Sequence, residues 1–339
     1  MAGAIVQFLL SAAVIAVAGS ALTRYADAIA DLTGLGRLLV GSIFLAVATS
    51  LPELSVDVSA VRMGAADIAV GDLLGSSLFN LLILALLDST YVPRWRLLSP
   101  VSAAHALPAT QSIALTALAG IGILLGPRLA GVTLGGVGPA VLAILLAYVL
   151  GVRMVFLDQK IAAAQKEEDG GDAAIVVVPA GAMTLKRAVL GYLIAAGAIL
   201  AAGPFLAVAA SRIAALSGMG NSFVGTTFVA ICTSLPELVA TLAAVRMGAP
   251  DLALGNIFGS NVFNMVLLVP LDLIHPGSLL SSVASIHVLT CLATILATTV
   301  AIMGQLYRAE RRIHFIEPDA LLVVVLVVGA LAMIYNFGG

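Results

Sequence analysis

The chain has 339 residues, 61% of them hydrophobic and 10% charged, with a mean hydropathy of +1.14 and a formal net charge of −2. A water-soluble domain of this size carries about a quarter charged residues, so the composition excludes one, and without a basic excess no nucleic-acid partner is expected. Cys232 and Cys291 stand alone in apolar stretches, which fits packed thiols rather than a redox pair or a soft-metal site.

The first apolar run, 4–23, has the small residues Ala18, Gly19, Ser20 and Ala21 of a signal peptide but lacks its positive n-region. It reads as a membrane span. Nine more stretches near the ~20 residues that cross a bilayer follow at 36–61, 67–88, 102–125, 130–152, 187–211, 220–245, 251–273, 282–305 and 318–336. The polar interruption at 157–187, with its Gly170–Gly171 pair and mixed charges, reads as a solvated linker with room for one short amphipathic helix. The expected fold class is an all-α polytopic membrane protein. Its expected division is a five-helix repeat at 1–153, a cytoplasmic linker at 154–186 and a second five-helix repeat at 187–339.

The halves are copies. Residues 36–88 align without gaps on 220–272 at an offset of 184, with 27 identities in 53 positions, including T-S-L-P-E-L and V-R-M-G-A in register. Lys and Arg set the orientation. With the N-terminus outside, Arg24, Arg37, Arg94, Arg96, Arg153, Lys160, Lys166, Lys186, Arg187, Arg246, Arg308, Arg311 and Arg312 fall on the cytoplasmic side; only Arg62, Arg128 and Arg212 fall outside. Both termini are therefore expected to be extracytoplasmic, in a cell (inner or plasma) membrane. Five spans per half make the copies inverted, the architecture of alternating-access transporters with a midplane site.

Within the repeat, Pro52 and Pro236 lack an N–H and break their helices. Unpaired backbone at membrane depth is tolerated only against protein or a watery cavity. Helical spacing puts Ala46, Thr49, Ser50, Glu53 and Asp57 on one stripe, and Ala230, Thr233, Ser234, Glu237 and Thr241 on its copy. The following helices add Asp72, Ser76 and Asn80, and Asn256, Ser260 and Asn264. Every donor is a hard oxygen of the kind Ca2+ collects six to eight of, whereas His105, His275, His287 and His314 lie elsewhere. A proline in a membrane helix can be a simple kink, and Ser, Thr and small residues serve helix packing. A buried Glu costs on the order of 3 kcal/mol at the midplane, so two at matched places mark function. Asp67 and Asp251 read as N-caps, and Asp88 and Asp272 as interfacial residues closing their spans.

The paired TSLPE segments, followed by GDLLGSSLFN and GNIFGSNVFN, resemble the two α-repeats of the sodium/calcium exchangers, within the cation/calcium antiporter superfamily. That resemblance implies ten helices in two inverted repeats and a central set of ion sites. It implies ligation by Thr49, Ser50, Glu53, Ser76 and Asn80, by Thr233, Ser234, Glu237, Ser260 and Asn264, and by the carbonyls of Ala46 and Ala230. It further implies Ca2+ and Na+ as alternately carried substrates, with no resident cofactor. Three positions depart from the usual motif: Asn264 stands where many exchangers have Asp, Asp72 where they have Asn, and Ala48 and Cys232 where Gly precedes the Thr. Asp57 and Asp72 are expected to tune the field near the ions without touching Ca2+. The linker is too short for the calcium-sensing domains of animal exchangers.

Three rivals stand beside exchange of Ca2+ for Na+. Exchange for H+ needs only the two glutamates. A channel usually lines its pore with symmetric subunits rather than inverted halves. An intramembrane aspartyl protease would need G-x-G-D, but Ala69 replaces the first Gly and Asn256 the repeated Asp. No H-E-x-x-H or G-x-S-x-G occurs either, and no enzyme is expected. Spans 1 and 6, poor in ionisable residues and rich in Ala, Gly and Ser, are expected to slide against a core of spans 2, 3, 7 and 8.

Overall fold

A computed structural model of the protein describes residues 1–33, 49–90, 106–168, 183–246, 250–306 and 318–338. In the first half these form α1 (Ala2–Thr33), α2 (Leu51–Arg62), α3 (Ala66–Thr90), α4 (Ala106–Leu129) and α5 (Pro139–Glu168). The second half starts with α6 (Leu185–Ser217). A composite segment follows, made of α7 (Asn221–Val224), a π-helical turn (Gly225–Val229) and α8 (Ala230–Thr233), and it leads into α9 (Leu235–Arg246). Then come α10 (Pro250–Ile274), the short α11 (Leu279–Ser282), α12 (His287–Leu306) and α13 (Pro318–Phe337). Among the described residues eight helices are long and apolar enough to cross a membrane, and the bent pair ending in α9 makes nine. The expected span at 36–61 enters the described residues only at Thr49.

Most expected spans match a helix, and the exceptions have local causes. The fifth was expected from residue 130, but α5 starts at Pro139. Gly135 and Gly136 take φ of 61° and 86°, a left-handed turn that an α-helix cannot contain, and Pro suits the first helical position. At its other end α5 runs on to Glu168, so the start of the expected linker is helical. At α6, Thr184 caps the N-terminus by accepting a hydrogen bond from the Arg187 N–H at 3.4 Å, and Gly218 (φ 72°) ends the helix.

Helices α3 and α10 cross at the centre, with 83% and 61% of their spans buried. The remaining contacts come in mates. As α4 and α5 pack on α10, so α12 and α13 pack on α3; as α1 packs on α9, so α6 packs on α2. This is the pattern of two inverted copies. Helices α1 and α6 pair with each other at the side of the bundle. Each reaches the opposite half through a glycine at equivalent positions. A Cβ on Gly19 would overlap the Pro236 ring, and one on Gly203 would overlap Ser55.

Two acids do more than close or cap their own helices. Asp272, in the last turn of α10, is fully buried within the protein, where its Oδ2 accepts from the Gly138 N–H at 2.6 Å and its Oδ1 from the Leu279 N–H at 2.5 Å. It thus satisfies orphan donors at the starts of both α5 and α11, each a positive helix end. Asp88, at the equivalent place in the first half, is likewise buried. Asp67 sits in the first turn of α3 but serves another helix. Its Oδ1 accepts from Ala284 N at 2.7 Å and from His287 Nε2 at 3.1 Å, tying α3 to the entry of α12.

Asp272→Ala orphans two buried N–H groups at about 1–3 kcal/mol each. Thermal unfolding in detergent is expected to show a melting temperature several degrees lower, with Asp272→Asn between wild type and Ala. An unchanged melting temperature in the Ala variant would refute the double-cap role.

Candidate cation site

The break in each repeat is set by one proline and one serine. Pro236 cannot donate, and Ser234 before the turn has φ −80° and ψ 3°, off the helical ψ; its mate Ser50 has φ −89° and ψ 8°. In the second half the chain bends by 45° there. Each helix then restarts alike, with Leu54 N donating to Ser50 O and Leu238 N to Ser234 O, both at 3.1 Å. That puts Glu53 and Glu237 in the first turn of α2 and α9, where a helix end favours negative charge.

The two restarts face one another across α3 and α10, and the side chains pair in mates. The Thr49 and Ser260 hydroxyls lie 3.5 Å apart, and those of Thr233 and Ser76 lie 3.2 Å apart. Glu53 comes near Ser76, and Glu237 near Ser260 and Thr49. None of the four glutamate oxygens makes a hydrogen bond of ordinary geometry, nor do Ser50 Oγ, Ser234 Oγ, Asn80 Oδ1 or Asn264 Oδ1. All these residues are at most 2% exposed. Buried polar groups are nearly always paired. A set of unpaired oxygens repeated on both halves is what a cation site between the repeats would need.

Asp72 breaks the symmetry. Its Oδ1 accepts from Thr233 Oγ1 at 2.7 Å and from Ser76 Oγ at 3.4 Å, so it reaches across to the other repeat. Its mate Asn256 turns away, donating to Thr241 Oγ1 at 2.9 Å and to the Glu237 carbonyl at 3.4 Å. Asp57, the mate of Thr241, lies with its carboxyl against that of Asp72. A hydroxyl–amide pair in one half is thus a carboxyl–carboxyl pair in the other. The motif stripes also omit Asn261, fully buried, which accepts from Asn80 Nδ2 at 2.9 Å and donates to Ser77 O at 3.3 Å. It fixes the amide of Asn80 so that Oδ1 remains free. The signal lay in the repeat alignment, where Asn261 replaces Ser77.

The carbonyl of Ala230 is already engaged, accepting from Ser234 N at 3.0 Å and Thr233 Oγ1 at 3.3 Å. Ala46 lies outside the described residues. Among the described residues no three His, Cys, Asp or Glu side chains converge as a resident metal centre would require. The donors are hard oxygens, mostly neutral, suited to an ion that must also leave.

Comparison with known proteins gives the same picture. The sequence profile described as sodium/calcium exchanger protein matches residues 3–157 and 187–335. The chain is 29% identical over 305 residues to the putative antiporter CaxA of Alkalimonas amylolytica, covering 88% of each. It is 28% identical to the inner membrane protein YrbG of Escherichia coli, covering 73% of this chain and 72% of that one. A 66-residue stretch, 19% of each chain, is 48% identical to the sodium/calcium exchanger MaX1 of Methanosarcina acetivorans. The solved structure of the sodium-calcium exchanger NCX_Mj, soaked with Na+ and Sr2+, superposes with a TM-score of 0.59 at 18% identity over 97% of both chains.

Glu53→Gln and Glu237→Gln are each expected to abolish Ca2+ transport while leaving the melting temperature equal or higher, because a neutral amide is easier to bury. Asp72→Asn should weaken apparent Ca2+ affinity by about tenfold, a loss of ~1.4 kcal/mol, without ending transport. Calcium uptake into proteoliposomes measures both. Wild-type uptake by both Gln variants would remove the glutamates from the site, and complete loss in Asp72→Asn would make Asp72 a direct ligand.

Proposed function

The chain belongs to the sodium/calcium exchanger protein family, and from that premise we propose that it is a secondary antiporter trading Ca2+ for Na+ by alternating access. The observation that carries this reading is the pair of buried glutamates, Glu53 and Glu237, whose oxygens make no hydrogen bond of ordinary geometry and have only hydroxyls nearby. Their charge is tolerable in a dry interior only when a cation shares it. Exchange follows from that condition, because an empty site would have to cross with two bare carboxylates, whereas a site holding Ca2+ or enough Na+ is neutralised.

In this reading Thr49, Ser50, Glu53, Ser76 and Asn80 hold the ion from one repeat, and Thr233, Ser234, Glu237, Ser260 and Asn264 from the other. The Thr233 hydroxyl, now shared between Asp72 and backbone carbonyls, would turn toward the ion and release the Ala230 carbonyl as a further donor. The Ala46 carbonyl would act likewise in the first repeat. In this reading the protein works in the cell membrane with both termini outside, the orientation that the Lys and Arg distribution supports. The bundle of α1 and α6 is the moving part. It touches the ligand-bearing helices through Gly19 and Gly203, whose lack of a side chain lets Pro236 and Ser55 pack directly on the helix backbone, with Ser55 Oγ donating to Ile199 O at 3.3 Å.

A second reading exchanges Ca2+ for H+. It is favoured by the number of core acids: Asp57 and Asp72 stand beside the two glutamates, although one Ca2+ is neutralised by two carboxylates.

The two readings separate in proteoliposomes loaded with Ca2+. A Na+ gradient at uniform pH is expected to drive Ca2+ movement, and a pH gradient without Na+ is not. The reverse result would establish proton coupling.

The moving part is tested by a Ser55→Cys/Gly203→Cys pair, whose side chains would meet. Oxidation should stop exchange and reduction restore it, while 45Ca2+ binding from one side survives. Unimpaired exchange in the fully oxidised protein would rule out motion at this contact.

A further inference from the structure

An open groove lies away from the acids, on the bundle's flank between α1 and α6. It encloses about 580 Å³ and is lined by apolar side chains including Leu10, Val14, Val17 and Ile194. The helices run antiparallel in a register fixed at both ends. Gln7 Nε2 donates to Phe205 O at 2.9 Å near one end, and near the other the Tyr25 ring lies over Gly191, where a Cβ would overlap it. From Leu10 to Tyr25 the groove runs about 22 Å at 1.5 Å per residue, most of the ~30 Å hydrocarbon thickness.

Apolar lining alone selects nothing, since lipid tails are as apolar as the groove. The ends differ in charge. On α1 the lining positions 10, 14, 17 and 21 continue at i+3 to Arg24; on α6 the positions 198, 194 and 191 continue at i−4 to Arg187, with Lys186 beside it. All three cations are exposed and fall within one and a half turns of the Tyr25–Gly191 crossing, at the end that the charge distribution assigns to the cytoplasm. Asp27, two residues after Tyr25, falls in the same stretch and leaves an excess of two positive charges there, and Asp31 follows a turn later on α1.

We propose that this groove binds one anionic phospholipid, with an acyl tail between α1 and α6 and its phosphate held by Arg24 and Arg187 beside the Tyr25 hydroxyl. Guanidinium groups suit a phosphate because they offer paired donors, and a basic cluster at the cytoplasmic surface attracts anionic headgroups. Lys186 adds charge without a fixed geometry. The groove parts the two helices on the side away from the core, so the lipid belongs to the α1–α6 unit.

Native mass spectrometry of the full chain, mixed with equal amounts of phosphatidylglycerol, phosphatidylethanolamine and phosphatidylcholine, tests this. The expected result is one retained phosphatidylglycerol per chain, favoured about threefold or more over either zwitterionic lipid, or at least ~0.65 kcal/mol. Arg24→Gln/Arg187→Gln should erase that preference while Glu53 and Glu237, and hence Ca2+ binding, are untouched. Ala195→Phe, which fills the groove, should lower retention of every lipid; Leu200→Phe, on the exposed outer face of α6, should not. Equal retention of the three lipids by the wild type would overturn the headgroup site. A dimer that dissociates on Ala195→Phe would make the groove an interface between copies and overturn the lipid assignment.

Discussion

Two carboxylates in a dry interior, neither met by a hydrogen bond of ordinary geometry, are the constraint around which this molecule is built. Glu53 and Glu237 cannot sit at membrane depth as bare charges. Nor are they placed to be neutralised by Arg or Lys, whose described side chains are all exposed. In the proposed function that charge is satisfied by the transported cation. The rest follows from keeping them there: the proline and serine that restart each helix, the threonines just before each restart and the serines that meet them from α3 and α10, and the apolar shell around them.

The other buried acids show how that conclusion differs from simple burial. Asp272 is as buried as Glu53, but two backbone N–H groups meet its two oxygens, so it is structural. Asp67 is met by Ala284 and His287 and is structural too. What separates a ligand from a cap is therefore the partner count. Asp72 falls between the two classes, with one oxygen bonded to the Thr233 and Ser76 hydroxyls and the other free.

Duplication supplies a second copy of every donor but not an identical one. Thr241 and Asn256 hydrogen-bond each other in one half, where Asp57 and Asp72 face each other in the other. The backbone frame has stayed symmetric, as Ser50 and Ser234 show by sharing one conformation. The side-chain chemistry has drifted, placing two extra carboxyl groups on one side of the pseudo-two-fold axis. Two conformations of an inverted-repeat transporter are related by exchanging the roles of its halves, so this asymmetry makes the site unequal as seen from the two faces.

The sequence by itself determined the membrane class, the duplication, its inversion and the matched glutamates, because hydropathy, repeat identity and charge cost are properties of residues in order. The helix from Pro139 instead of 130 was legible only in part, since an apolar run continues through Gly135 and Gly136 whether or not their φ is positive. Tertiary structure alone decided which acids are satisfied. Asp272 meets an N–H from a residue 134 positions away, and Asp72 meets a hydroxyl 161 positions away. Helical periodicity says which face a side chain occupies, but a hydrogen bond depends on what another helix brings to that face, and that is settled only when the two halves pack.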